Sequence, residues 1–422
     1  MPGVVAMATA PGAFKNGEGF EMQTFLGFPR PGEMAGTRNY VLVIPAGRLL
    51  NIAATRVSNY VSGTKTVITG GENGRHKKDR ERLSRIFVGL AKNPNTYATI
   101  VLGAKKDFGY REVDPYILAE QISKAGKPVE VLTVEQCGGL NRLVESGIAL
   151  ARHYVHLASS VRREPVPIDR LTIGVKCGLS DATSGIAGNP SFGKAADTLI
   201  ANGGSAIFSE TVELIGAEED VAARCVNRAD AKRLLDMVAK VEEAAKRTGE
   251  DIRAINPLPS NIAAGLTTLE EKSLGAVRKA GTSPIVGVLE YATQPTKKGL
   301  HFMDGWQSSF SLPMSLAAAG CQISIYQLGG DDLPSIDPPM LATNTGVVAP
   351  LMMITGNPRT AKKAEDSIDF SSGAIIAGDS SVEQMGAALY AKIVSIASGE
   401  LTRGETIRYS DPLEPYYLGP VF

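Results

Sequence analysis

The chain has 422 residues, 43% of them hydrophobic, more than one core usually supports, so two domains are expected. Lys+Arg and Asp+Glu both number 44, which gives no electrostatic reason to expect nucleic acid or an anionic membrane and suits a small anionic substrate better. Residues 1–22 lack a basic stretch followed by an apolar core. No apolar run approaches the ~20 residues of a membrane span. The cysteines Cys137, Cys177, Cys225 and Cys321 are scattered without a C-x-x-C pair, so neither a disulfide framework nor a zinc knuckle is expected, and the compartment reads as reducing and cytoplasmic.

In chain order, β-rich runs at 40–44, 65–69, 98–103 and 129–134 alternate with helix-like segments at 49–61, 77–91, 115–125 and 140–159. Such alternation predicts βαβ units on a parallel sheet. The charged, proline-bearing stretch 161–169 reads as an exposed connector. The domains expected are therefore an N-terminal extension over 1–22, a first α/β domain over 23–165 and a second over 166–422. The second half restarts with a buried strand over 171–175, followed by strands at 205–208, 285–289, 322–326 and 351–355. One long helix is predicted over 218–248, stopped by Gly249. The fold class is α/β, two domains with mainly parallel sheets.

The richest stretch runs from Lys176 to Pro190. It packs Cys177, Ser180, Asp181, Thr183, Ser184 and Asn189 between glycines directly after an apolar strand, where open α/β sheets build their sites. A lone cysteine is most often a small buried hydrophobe, but so many polar groups at a strand end require solvent or a ligand. A second strand runs into Ser209-Glu210-Thr211, with Glu210 at its end and Glu213 placed to cap the next helix; an ordinary N-cap is the competing reading. Thr267 or Thr268 with Glu270 or Glu271 makes a plausible capping box. Lys272 in that helix could neutralise a carboxylate or act as a base. Asp304 beside Gly305, Thr343-Asn344-Thr345, and Arg38-Asn39 before the first strand are weaker polar clusters. There is no GxGxxG, GxxxxGK[ST], HExxH or GxSxG motif, so no nucleotide cofactor is expected.

Together these segments resemble the altronate/galactarate dehydratase family, which also contains the large subunit of (2R)-sulfolactate sulfo-lyase. The resemblance runs from about Gly27 to Phe422. It rests on 36–40 (Gly-Thr-Arg-Asn-Tyr), Cys177 to Asp181, Ser184 to Ile186, Asn189-Pro190, Ser209 to Thr211, 265–268, 271–275, Phe302 to Asp304 and 342–345. It implies a lyase that removes water, or in one branch sulfite, from a small hydroxy acid such as a sugar acid. It also implies a divalent metal and a small SAF-type domain, which would here be a separate subunit; a homo-oligomer is expected too. Where relatives usually carry cysteines, this sequence aligns Gly74, Lys106 and Ser372. A soft iron–sulfur centre is therefore not expected; either hard oxygen ligands from Asp181, Glu210 and Asp304 favour Mg, Mn or Ca, with Fe as the family alternative, or no metal binds and Lys106 supplies the positive charge.

β-Elimination needs a base for the α proton, positive charge for the resulting dianion and an acid for the leaving group. Glu210, Lys272 and Asp304 are the expected proton-transfer residues. Arg38, Asn39 and Lys106 are expected on the substrate carboxylate, and Cys177, Ser180, Asp181, Ser184, Asn189, Thr211, Thr343 and Asn344 on the rest of the substrate. Alternatives are sulfite elimination or epimerisation on the same scaffold, or a non-catalytic ligand-binding subunit.

Overall fold

Short, fully buried apolar runs separated by amphipathic helices can only pair as parallel strands whose crossovers cover both faces. In the computed structural model they do so twice. The structure describes residues 14–15, 21–69, 76–105, 111–249, 251–305, 308, 311–330 and 346–407. Gly74, Lys106, Thr343 and Asn344 lie outside them.

The first half forms a four-stranded parallel sheet in the order Thr64–Thr66, Tyr40–Pro45, Thr96–Gly103, Val129–Thr133. The second half forms a seven-stranded parallel sheet in the order Ile285–Leu289, Leu300–Met303, Ser205–Phe208, Thr172–Gly178, Ile323–Leu328, Leu351–Thr355, Phe370–Ser371. From the central strand Thr172–Gly178 the chain builds outward to one side, then returns to lay Ile323–Leu328 against its other edge. These two adjacent strands mark the switch point, so the crevice beyond their carboxyl ends is where an α/β sheet accommodates a ligand. Helices Asn189–Ala201 and Val382–Ala397 join the larger hydrophobic core, and Ser311–Ala318 contributes to two smaller ones.

The halves are tied together by buried amides. Asn93 Nδ2 donates to the carbonyls of Ala317 (2.7 Å) and Cys321 (2.8 Å), and Asn95 Nδ2 to those of Gln322 (2.8 Å) and Val348 (3.0 Å). No helix among the described residues is long and apolar enough to cross a membrane.

Two local expectations are corrected. The stretch read as an exposed connector contains a strand, Glu164–Pro167, paired antiparallel with Thr24–Arg30, and Val166 and Ile168 are buried. It is an edge strand, where Pro165 and Pro167 cost no ladder hydrogen bond when their nitrogens face away from the partner. The long helix over 218–248 is broken into Glu218–Ala222 and Arg228–Arg247. Between them Val226 N–H donates to Ile285 O, Ile285 N–H to Arg224 O, and Asn227 caps the second helix through Asp230 N–H at 2.8 Å. Sheet pairing and a local cap override helix propensity there.

Candidate active site

Strand Thr172–Gly178 is buried along nearly its whole length, so its last side chains are carried into the interior. Lys176 and Cys177 meet Glu210 and Glu213 there, together with a residue that sequence reading did not single out, Lys279. All five are at most 2% exposed. Glu210 ends strand Ser205–Phe208 with φ 80° and ψ 72°, a left-handed backbone that costs a non-glycine residue about 1–3 kcal/mol and points to a constrained site. That turn directs both carboxylates inward. Glu210 Oε2 accepts Cys177 N–H at 3.0 Å and the Lys279 ammonium at 2.5 Å. Glu213 Oε2 accepts Lys279 at 2.8 Å and the Cys177 thiol at 2.9 Å. Glu213 is therefore not a helix cap. Lys279 Nζ also lies 3.1 Å from Cys177 Sγ.

Lys176 donates to the Cys177 carbonyl at 2.6 Å, lies 3.6 Å from Glu210 Oε1 and sits 4.6 Å from the centre of the Tyr326 ring. Its approach leaves no room at Gly178, where a Cβ would fall 2.3 Å from the Tyr326 hydroxyl and 2.9 Å from Lys176 Nζ.

Two ammonium groups face two carboxylates, so the centre is balanced in charge. Burial raises the Cys177 thiol well above its ordinary pKa, and Glu210 and Glu213 push it the same way, so it stays protonated. Burial works against the Lys279 ammonium, but Cys177, Glu210 and Glu213 outweigh it and hold the amine protonated. At Glu213 burial likewise opposes the charged form, and Lys279, Lys272 and hydrogen bonds from Cys177 and Lys279 bring its carboxyl down to about 2.

Cys177, Glu210 and Glu213 offer one ligand atom each, all within 4.8 Å of one another, a set that could hold a metal ion. The set is neither the one expected from sequence nor open. The Lys279 ammonium stands among all three donors at hydrogen-bonding distance. A metal at thiolate and carboxylate bond lengths, about 2.0–2.3 Å, would have to take the same place. As folded, the residues do not fit a metal.

Beside this centre the loop after Cys177 turns through a π-helical stretch, Ser184–Gly188, into helix Asn189–Ala201; such π turns recur at functional sites. The loop and helix Leu269–Ala276 enclose a cleft of about 250 Å³ lined by Ser180, Asp181, Ser184, Asn189, Glu271, Lys272 and Arg278 among others. Gly185 and Gly275 let the two backbones close on one another: a Cβ on Gly185 would meet Gly275 Cα at 3.0 Å. Thr268 caps the helix through Glu271 N–H at 3.1 Å, and Glu271 accepts from Thr267 N–H at 2.7 Å, so the expected capping arrangement is present.

Lys272 is buried and donates to Asn256 Oδ1. Arg278 is exposed and forms no ion pair among the described residues. Asn189 donates to Gly275 O at 3.0 Å, while its buried Oδ1 has no partner among the described residues. The cleft thus offers two cations and an unused acceptor to a small ligand. Clefts of about 460 and 550 Å³ occur elsewhere, but neither is lined by the Cys177 loop, Glu210 or Lys272.

Of the other expected site residues, several are committed to the fold. All guanidinium nitrogens of Arg38 are engaged: Nε and Nη2 with Glu405 (2.6 and 2.7 Å), and Nη1 and Nη2 with the carbonyls of Thr37, Ile396 and Glu400. It has no donor left for a substrate. Asn39 is held by Arg30 and the Ala158 carbonyl. Asp181 lines the cleft, but its oxygens accept from Thr183, Ser184 and Asn357 and shape the loop, which leaves it a poor metal ligand. Asp304 accepts the Thr211 hydroxyl at 2.6 Å, and neither residue lines the cleft. Ser372 is buried at the edge strand, its Oγ 3.4 Å from Thr355 O, three strands along the sheet from Cys177.

Residues 168–416 match the family described as D-galactarate/Altronate dehydratase, C-terminal, and residues 27–159 match D-galactarate dehydratase/Altronate hydrolase, second domain. Among curated proteins, the chain is 32% identical to (2R)-sulfolactate sulfo-lyase subunit beta of Chromohalobacter salexigens, over 92% of this chain and 96% of that protein. It is 29% identical to altronate dehydratase of Bacillus subtilis, over 91% of this chain and 76% of that protein. It is 30% identical to galactarate dehydratase (L-threo-forming) of Escherichia coli, over 65% of this chain and 51% of that protein.

Proposed function

Because the chain belongs to the D-galactarate/altronate dehydratase family and is thus an enzyme of the hydro-lyase type, we propose that it catalyses β-elimination on a small hydroxylated carboxylate bound in the cleft under the Cys177 loop. The observation that carries this reading is the pairing of Lys272 and Arg278 with the unused Asn189 Oδ1 around about 250 Å³ at the switch point of the sheet. Arg278, which forms no ion pair among the described residues, takes the substrate carboxylate; guanidinium geometry suits a two-point contact with it. Asn189 Oδ1 accepts a substrate hydroxyl, which satisfies a buried atom that otherwise carries a desolvation cost.

Removing the α proton places a second negative charge on the carboxylate side of the substrate. Lys272 is the cation placed to stabilise it, in a site partly screened from water. The Cα–H bond breaks and its proton passes to water in the cleft, the double bond forms towards Cβ, and the Cβ–O bond breaks as the departing hydroxide takes up a proton, so that one water is released. From a 2,3-dihydroxy acid the resulting enol tautomerises to a 2-keto acid.

A second reading is supported by the near end-to-end match with the sulfo-lyase subunit: the same α-proton removal with sulfite as the leaving group. We also propose that a separate small SAF-type subunit completes the enzyme. The test is incubation of the purified chain, with and without such a subunit and with and without divalent metal, against aldonates, aldarates and sulfolactate, reading 2-keto acid and sulfite. Keto acid without sulfite supports dehydration, and keto acid with equimolar sulfite supports the second reading. No product from any acid under any condition refutes both.

A further inference from the structure

The buried centre behind the cleft has the composition of a cation site: one thiol from the end of strand Thr172–Gly178 and two carboxylates from the turn that follows the adjacent strand Ser205–Phe208, with a positive charge in the middle. In this chain that charge is covalent. Lys279 Nζ approaches Cys177 Sγ (3.1 Å), Glu210 Oε2 (2.5 Å) and Glu213 Oε2 (2.8 Å), the same three atoms that would otherwise coordinate an ion. Its three N–H groups match three acceptors, so each direction in which a metal would bond is already used. We propose that Lys279 is the resident cation of the Cys177–Glu210–Glu213 set, and that this set therefore holds no divalent metal in the native protein.

Three further observations agree. Lys279 sits in a 3₁₀ turn, Val277–Ala280, between the buried Ala276 and Ala280, while its neighbour Arg278 faces the cleft. The tight turn sends one cation inward and one outward. Gly281 follows with φ 57°, and a Cβ there would strike Asp197 Oδ1 at 2.6 Å, so the turn is fixed by close packing. Charge is also already accounted for: Lys176 and Lys279 balance Glu210 and Glu213. A divalent ion added beside Lys279 would leave uncompensated positive charge among side chains that are at most 2% exposed, where an unpaired charge is severely destabilising.

Cobalt(II) tests this, because a cobalt–thiolate bond gives a charge-transfer absorption in the near ultraviolet. Native protein, Lys279→Ala, Cys177→Ser and Lys279→Ala/Cys177→Ser are each refolded from urea with cobalt(II) under anaerobic conditions, so that burial does not block entry. The native protein is expected to give no absorption that depends on Cys177. Lys279→Ala is expected to gain a stoichiometric band, lost in the double variant, and to melt at higher temperature with cobalt than without.

A band in native protein that Cys177→Ser abolishes overturns the assignment. So does a folded Lys279→Ala that gains none, since the set would then not be a cation site. Should Lys279→Ala not fold even with cobalt, the native protein decides: a Cys177-dependent band refutes the proposal, and its absence upholds it. The readout is independent of catalysis, so failure to find a substrate leaves this test intact.

Discussion

Replacing Glu213 by glutamine should destabilise the protein by an amount that depends on pH. The Glu213 carboxyl titrates at about 2 when folded, against the usual 4.5. A gap of that size is worth about 3 kcal/mol. The sign follows from the direction: a lowered carboxylate stabilises the fold fully above the unfolded value and loses that stabilisation as pH falls through the folded one. The contribution is therefore about 3 kcal/mol at pH ~7, roughly 1.5 kcal/mol at pH ~3 and nearly gone below pH ~2.

Glutamine keeps the shape but carries no charge, so the gap between native and variant should shrink along the same curve. Urea unfolding at neutral, mildly acidic and strongly acidic pH measures it, provided the slope against urea is unchanged by the substitution. A difference that stays constant with pH would contradict the argument, because it would mean that Glu213 acts through packing and not through its charge beside Lys279.

Arg38→Met should lower stability by about 3–5 kcal/mol, because it strands the buried Glu405 carboxylate, while kcat/KM per folded molecule stays at the native value; a large rise in KM would restore Arg38 to the substrate site. Arg278→Gln should raise KM about 10–100-fold, the value of a charged hydrogen bond, with kcat nearly kept, and steady-state kinetics on the acid found to turn over reads it. Lys272→Met should instead cut kcat about 100-fold or more, if it stabilises charge that appears only in the transition state. Gly185→Ala should raise KM and cost about 1–3 kcal/mol in urea unfolding, since its Cβ would press on Gly275 at 3.0 Å and part the two walls of the cleft; unchanged KM would place the ligand elsewhere.

The α/β architecture was legible because its signals are local. Buried strands such as 351–355 read as apolar runs, and the cap at Thr268 is written in four consecutive residues. The Cys177 loop was legible for the same reason, as a polar, glycine-rich stretch directly after such a strand. Long-range pairing was not. Arg38 looked like a free cation because Glu405, which occupies it, lies 367 residues away. Glu213 looked like a first-turn acid because the distant Lys279 that claims it could not be seen. Lys279 was not singled out at all, because nothing local marks it: the signals available, Ala280 beside it and the glycine that ends the turn, become informative only with the turn closed as 3₁₀ against helix Asn189–Ala201.

The division of charge between centre and cleft explains how one short turn can serve both. Inside, Lys279 is neutralised by its contacts, together with Lys176 and the two glutamates, so the centre contributes little net field to the cleft. Outside, Glu271 is tied to Thr267 and Asp181 to the loop, whereas Arg278 has no carboxylate partner among the described residues. An incoming acid therefore meets Arg278 and Lys272, with the ionised Glu271 held back on Thr267, rather than Glu210 and Glu213. The same balance fixes Glu210 in its left-handed turn, because leaving it would forfeit the bonds from Lys279 and from Cys177 N–H. Thr211 and Asp304 are bonded to each other immediately beyond that turn, which anchors its far side to the neighbouring strand Leu300–Met303.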